Sequence, residues 1–114
     1  MLKLNVFLTK KSGITLEQFS KYWKEIHGPL LMSQPEIVAS TRKYIQLYST
    51  GIGLSEVPEA PYDGIAEVWV DDLNGAAAIF TSDSYNNIIA PDEANFLDRE
   101  KTFIMYGTET VVSE

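Results

Sequence analysis

A chain of 114 residues, 45% hydrophobic and 22% charged, has the size and composition of one globular domain with a real core, which excludes a disordered segment and a pair of domains. Sixteen acidic residues against nine basic ones leave a formal charge of −7, so a nucleic-acid backbone or an anionic membrane surface is an unfavourable partner. The sequence has no cysteine and a single histidine; disulfides and thiol catalysis are excluded and a His/Cys metal centre within one chain almost so, leaving only a carboxylate-rich site that no ligand spacing suggests, and a reducing cytoplasm is the expected setting.

Residues 2–9 alternate in the strand period, with Leu2, Leu4, Val6 and Leu8 on one face and Lys3, Asn5, Phe7 and Thr9 on the other. The pattern predicts a strand rather than a signal peptide, and no apolar run approaches the ~20 residues that span a bilayer. After a turn at residues 10–13, Thr15 and Gln18 form a capping-box pattern that predicts a helix. Leu16, Phe19, Trp23 and Ile26 give that helix an apolar stripe, and His27-Gly28-Pro29 predicts its end, with glycine as C-cap and proline as the stop. Residues 30–38 are expected to hold a further short turn of helix, interrupted at Pro35.

Residues 41–50 predict a second strand, with Tyr44, Gln46 and Tyr48 on one face and Ile45 and Leu47 on the other. The segment 51–62 holds two glycines and two prolines and reads as a loop, either a lid or binding segment or a passive excursion. A third strand over 63–71 sets Ala66, Val68 and Val70 against Ile65, Glu67 and Trp69. A second helix follows, capped by Asp71 or Asp72, with Leu73, Ala76, Ala77 and Phe80 facing inward. Residues 82–98 are expected to form shorter helical pieces broken at Pro91, and 101–112 the last strand.

The order β-α-β-β-α-β is the ferredoxin-like arrangement, an α+β fold whose helices cover one face of the sheet. The small aliphatic residues Leu4, Val6, Ile45, Leu47, Val68 and Val70 are assigned to the helix side. The other side would then carry Asn5, Phe7, Tyr44, Gln46, Tyr48, Ile65, Glu67 and Trp69. That face is too aromatic for water, since antiparallel sheets with a solvated face alternate apolar and polar residues. It predicts a homodimer that packs sheet against sheet.

The segments Ile14-Thr15-Leu16-Glu17-Gln18-Phe19, Tyr22-Trp23, His27-Gly28-Pro29-Leu30 and Arg42-Lys43-Tyr44 resemble the EthD-like family of dimeric α/β barrels. Residues 62–69 and the segment Asp92-Glu93-Ala94-Asn95-Phe96-Leu97-Asp98 match as well, so the resemblance runs over residues 4–106 as a single domain. It implies a ferredoxin-like protomer whose sheet packs on a partner's. It does not fix a reaction: similar proteins include methylmuconolactone isomerases and polyketide-tailoring dehydratases, cyclases and decarboxylases.

His27 belongs to the one side-chain type that ordinarily titrates near neutrality, which suits proton transfer; its plain reading is a cap on the helix end. Tyr44, Tyr48 and Trp69 supply flat walls and hydroxyl donors, or simply fill the interface. Glu67 is either paired with Arg42 on the neighbouring strand or functional. Asp63 either opens a strand or orients a histidine, and Asp92 either stabilises a helix start or binds substrate. No Gly-x-Ser-x-Gly and no phosphate-binding loop is present. The expected protein is a cofactor-independent enzyme that isomerises, dehydrates or cyclises a small oxygenated organic substrate. His27 would be its acid/base with Tyr44 and Asp63 beside it, and Phe7, Trp23, Tyr48, Glu67, Trp69, Asp92 and Phe96 would contact the substrate. The alternatives are a non-catalytic carrier of a small hydrophobic ligand for a partner oxygenase, and oxidation of an activated aromatic or a haem-dependent activity with His27 as axial ligand, for which a single histidine is weak support; no metal is expected.

Overall fold

A computed structural model describes residues 1–114. Its four strands, β1 (Leu2–Leu8), β2 (Lys43–Tyr48), β3 (Gly64–Val70) and β4 (Phe103–Gly107), form one antiparallel sheet in the order β2-β3-β1-β4. The helices pack on one face of it, which is the ferredoxin-like α+β arrangement read from the sequence. No helix is long and apolar enough to cross a membrane.

The first helix, α1 (Leu16–Tyr22), begins at the capping box: Thr15 Oγ1 accepts the Gln18 N–H at 3.0 Å and Gln18 Oε1 accepts the Thr15 N–H at 2.9 Å. It does not stop at Gly28-Pro29. A π-helical turn over Trp23–His27 carries it into α2 (Gly28–Met32), with the Gly28 N–H donating to the Trp23 carbonyl. The same device recurs later: a π-turn over Tyr85–Ile89 runs into α5 (Ala90–Glu93), the Ala90 N–H donating to the Tyr85 carbonyl. Each wide turn is followed by a proline, Pro29 or Pro91, which has no N–H and would clash with the carbonyl four residues back in a regular helix. Pro91 therefore bends no helix apart, and the sequence-based breaks at both prolines are corrected to π-turns. Gly28 is right-handed helical (φ −59°) and caps nothing. What it provides is closeness, since a Cβ there would lie 2.6 Å from Gln46 Nε2 on β2.

Between these helices, α3 (Pro35–Ser40) leads into β2, and α4 (Leu73–Phe80) is capped by Asp72, whose carboxylate accepts the N–H groups of Asn74 and Gly75. Ala76 and Ile79 are its buried residues, while Leu73 and Ala77 face outward, contrary to the predicted stripe. The segment 51–62 carries no regular structure beyond turns, and the chain from Leu97 returns through a 3₁₀ turn, Arg99–Lys101, to β4.

The largest departure from expectation is the phase of β2. Tyr44 pairs with Val68, Gln46 with Ala66 and Tyr48 with Gly64, and directly opposed residues share a face. Tyr44, Gln46 and Tyr48 therefore lie under the helices, and Ile45 and Leu47 lie on the outer face. Polar tips are tolerated inside because they are satisfied. Tyr44 Oη accepts from Trp23 Nε1 (3.0 Å) and from Gln46 Nε2 (2.9 Å), Gln46 Nε2 also donates to the Trp23 carbonyl (3.1 Å), and Tyr48 donates to Gln46 Oε1.

The core forms two adjoining clusters. Leu4, Ile37, Val70, Ile79 and Ile89 make one, and Leu8, Phe19, Trp23, Phe96 and Leu97 the other. The helices stop short of β4, whose inward-facing Ile104 and Tyr106 remain 36% and 50% exposed. On the outer face Phe7, Ile45, Leu47, Ile65, Phe103 and Met105 form an apolar layer around one ion pair, Lys3 Nζ to Glu67 Oε1 at 2.6 Å. Glu67 is thus paired with Lys3, whereas Arg42 pairs with Asp71 at 2.8 Å. Trp69 lies on the same face beneath the ammonium groups of Lys3 and Lys43, and its indole N–H donates to Glu109.

Candidate functional site

A cavity of about 70 Å³ lies between the sheet and the helices. Fifteen of the eighteen side chains that line it are hydrophobic; the others are His27, Thr41 and Glu93. The Thr41 hydroxyl donates to the Ile37 carbonyl at 2.8 Å, and the Tyr44 oxygen accepts from Trp23 Nε1 and Gln46 Nε2. His27, Glu93 with the Tyr85 hydroxyl beside it, and the O–H of Tyr44 are the polar groups left for a ligand.

His27 closes the first π-turn and is only 6% exposed. Its ring packs on Phe96 with centroids 4.7 Å apart, and its Nδ1 lies 2.8 Å from Asp92 Oδ2. Asp92 Oδ1 accepts two further hydrogen bonds, from the Tyr22 hydroxyl at 2.6 Å and from Asn95 Nδ2 at 3.1 Å. Burial pushes the Asp92 carboxyl up, but the hydrogen bonds from Tyr22, His27 and Asn95 outweigh it and hold the carboxyl below its ordinary range. An ionised carboxylate only accepts, so Nδ1 of His27 is the donor, and in the neutral ring that tautomer leaves the lone pair on Nε2. Burial raises the Tyr22 hydroxyl, and the bond to Asp92 adds to it, so that phenol stays a donor.

Glu93, the next residue, turns to the cavity. Its Oε2 accepts from the Tyr85 hydroxyl at 2.6 Å, and its Oε1 lies 3.4 Å from Arg99 Nε. Burial raises its carboxyl above the ordinary value, against the downward pull of Tyr85, His27 and Arg99. Burial likewise raises the Tyr85 phenol. Tyr85 and Glu93 also line an open groove of about 250 Å³ that runs past Arg99 and Thr102 to Phe103 and Ile104 on β4. The bare inner side of β4 is the floor of that groove.

The structure brings His27, Trp23, Tyr44 and Phe96 to the cavity, with Asp92 directly behind the histidine. Tyr48 packs edge-on against Trp23 (centroids 5.2 Å) and borders a separate surface recess near the 51–62 loop. Phe7, Glu67 and Trp69 sit on the far face of the sheet and do not reach the cavity; Phe7 stacks on Tyr62. Asp63 accepts the Lys10 backbone N–H at 2.8 Å, holding the turn after β1, and the partner of His27 is Asp92 instead. Sequence reasoning passed over Tyr85 and Glu93. The available signal was spacing: Ile89 and Phe96 are fully or almost fully buried, and Glu93 occupies the intervening position of the same stripe. No three His, Cys, Asp or Glu side chains converge in a metal-binding arrangement.

The family model described as the EthD domain matches residues 11–100. Among solved structures, an ethyl tert-butyl ether d (EthD) family protein from Bacillus halodurans superposes with a TM-score of 0.70 at 18% identity, covering 96% of this chain and 99% of that one. A dimeric protein with a ferredoxin-like fold from Bacteroides fragilis gives 0.66 at 10% identity, covering 95% of both chains. A putative antibiotic biosynthesis monooxygenase from Nitrosomonas europaea gives 0.60 at 15% identity, covering 96% of this chain and 98% of that one. No curated protein matches the chain significantly in sequence.

Proposed function

The chain belongs to the EthD domain family, and from that premise we propose that it is a homodimeric, cofactor-independent enzyme that moves a proton next to the carbonyl of a small, flat organic substrate. The observation that carries this reading is the buried His27–Asp92 pair at 2.8 Å on the wall of an otherwise apolar cavity. Asp92 fixes the ring and its tautomer and stabilises the imidazolium that forms when Nε2 takes a proton. The apolar walls, Trp23 and Phe96 among them, exclude water and suit an aromatic or polyketide-like body. Isomerisation, dehydration and cyclisation all begin with that proton removal.

The homodimer would bury the outer layer of the sheet, and the dimeric ferredoxin-like relative from Bacteroides fragilis supports it. A second reading, oxidation of an activated aromatic, is favoured by the name of the Nitrosomonas europaea relative. In that case the same histidine would deprotonate a phenol to make it electron-rich.

Phenylacetone in deuterium oxide separates these readings. The wild type is expected to speed exchange at the carbon next to the carbonyl, and His27→Ala to lose about 10²–10⁴-fold of that acceleration. Exchange that is no faster with the wild type than without protein would sink the proposed chemistry.

A further inference from the structure

The adjacent carboxyls of Asp92 and Glu93 face different surroundings. Asp92 is ringed by three donors and sits behind His27. Glu93 enters the apolar cavity that His27 also lines, with the Tyr85 hydroxyl 2.6 Å away and the outer groove beyond. Tyr44 also keeps a phenol proton, but burial raises that group above its ordinary value, so beside His27 the Glu93 carboxyl is the stronger acid that a bound molecule meets. Resting on the reading that His27 is the base, we propose that Glu93 is the acid of the same site and that the substrate is a small aromatic β-hydroxy ketone, which the pair dehydrates.

The step balances as a β-elimination. His27 Nε2 takes the proton from the carbon beside the carbonyl, and the electron pair of that C–H bond forms the carbon–carbon double bond. The C–O bond to the neighbouring hydroxyl breaks, and the departing oxygen takes the proton of Glu93 and leaves as water. The enone remains, His27 is left cationic and Glu93 anionic, and proton return from His27 to Glu93 through water restores the resting forms. An acid that protonates hydroxyl must itself be neutral beforehand. Burial in the apolar cavity favours that form of Glu93, while the hydrogen bonds to Asp92 keep its carboxylate ionised behind His27. Tyr85 is a positioning residue: its hydroxyl aims the carboxyl and, by bonding to it, limits how far its titration is raised.

The groups facing Glu93 are Tyr85 on the second π-turn, Arg99 on the 3₁₀ turn, His27 on the first π-turn and Asp92 beside it. Elimination requires protonated Glu93, so its rate should fall as pH rises through the titration of Glu93. Tyr85→Phe removes a bond that favours the ionised form, so that falling limb moves to higher pH. A purely structural tyrosine would leave the limb in place.

The test uses two probes. Phenylacetone has no leaving hydroxyl and reports on His27 alone; the benzaldehyde–acetone aldol reports on both groups by its conversion to benzylideneacetone. Glu93→Gln is expected to lose about 10²-fold or more of the dehydration, a much larger loss than it shows in phenylacetone exchange, and His27→Ala to lose both. If wild type exchanges phenylacetone but does not dehydrate the aldol, or if Glu93→Gln dehydrates it undiminished, the role of Glu93 is overturned and that of His27 stands. If wild type does neither, both fall. Carbon-13 resonances of labelled glutamate carboxyls give a readout free of substrate: Glu93 should titrate above the exposed glutamates, and a Glu93 that titrates with them overturns the proposal.

Discussion

Asp92 and Glu93 also leave opposite marks on stability. The Asp92 carboxyl titrates below its ordinary 3.8, so the stability it contributes is complete above that value and is lost as pH falls through the folded value. Glu93 titrates above its ordinary 4.5, so its contribution is complete below that value and is lost as pH rises through the folded one. Urea unfolding between about pH 3 and about pH 7 should therefore show Asp92→Asn with a shallower acid limb. Glu93→Gln should lack the decline on the other side, and unchanged profiles in both variants would contradict these assignments. His27 could be singled out from the sequence because it has no competitor. Its partner could not, because the 65 residues that separate it from Asp92 are closed only by the packing of the two π-turn helices. Asp63 looked the better orienter on paper, and the backbone of Lys10 claims it. Glu93 was hidden by its charge: an acidic residue in an apolar stripe reads as a solvated edge until the fold shows which way it turns.

Among the elements, the first long helix is decided at Gly28. Proline after glycine is an ordinary stop signal, and here the signal was met by a π-turn because the helix has to pass close over β2. A methyl at residue 28 would strike the Gln46 amide, which also bonds to the Trp23 carbonyl and the Tyr44 hydroxyl. Gly28→Ala is expected to cost about 1–3 kcal/mol, seen as a lower urea midpoint with an unchanged slope; a gain in stability would mean that Gly28 matters only for chain freedom. The strands show the complementary difficulty. Alternation told that β2 has two faces without telling which faces inward, and a shift of one residue exchanges them. Aliphatic content favoured Ile45 and Leu47 for the interior. The tyrosines went in instead because Trp23 and Gln46 bond to the Tyr44 oxygen and Gln46 accepts from Tyr48, a network that has no trace in linear spacing.

For the molecule as a whole, the β-α-β-β-α-β order and its one-sided helical layer were legible because periodicity and caps are local. The apolar character of the outer face was also legible, although its membership was not: Ile45 and Leu47 belong to it, and Tyr44 does not. Ile65 sits between Phe7 and Leu47 in that layer. Ile65→Lys is expected to turn the proposed dimer into a monomer in sedimentation velocity while the far-ultraviolet circular dichroism spectrum persists; a monomeric wild type, or a variant still dimeric, would refute sheet-to-sheet association.

Phe103 has one foot in each region, since it borders the groove beside Glu93 and pairs with Phe7 in the outer layer. The doorway to the chamber and the seam between subunits would then share a hinge post. Tightening the seam should change how quickly small molecules enter and leave, so that their residence time varies with protein concentration.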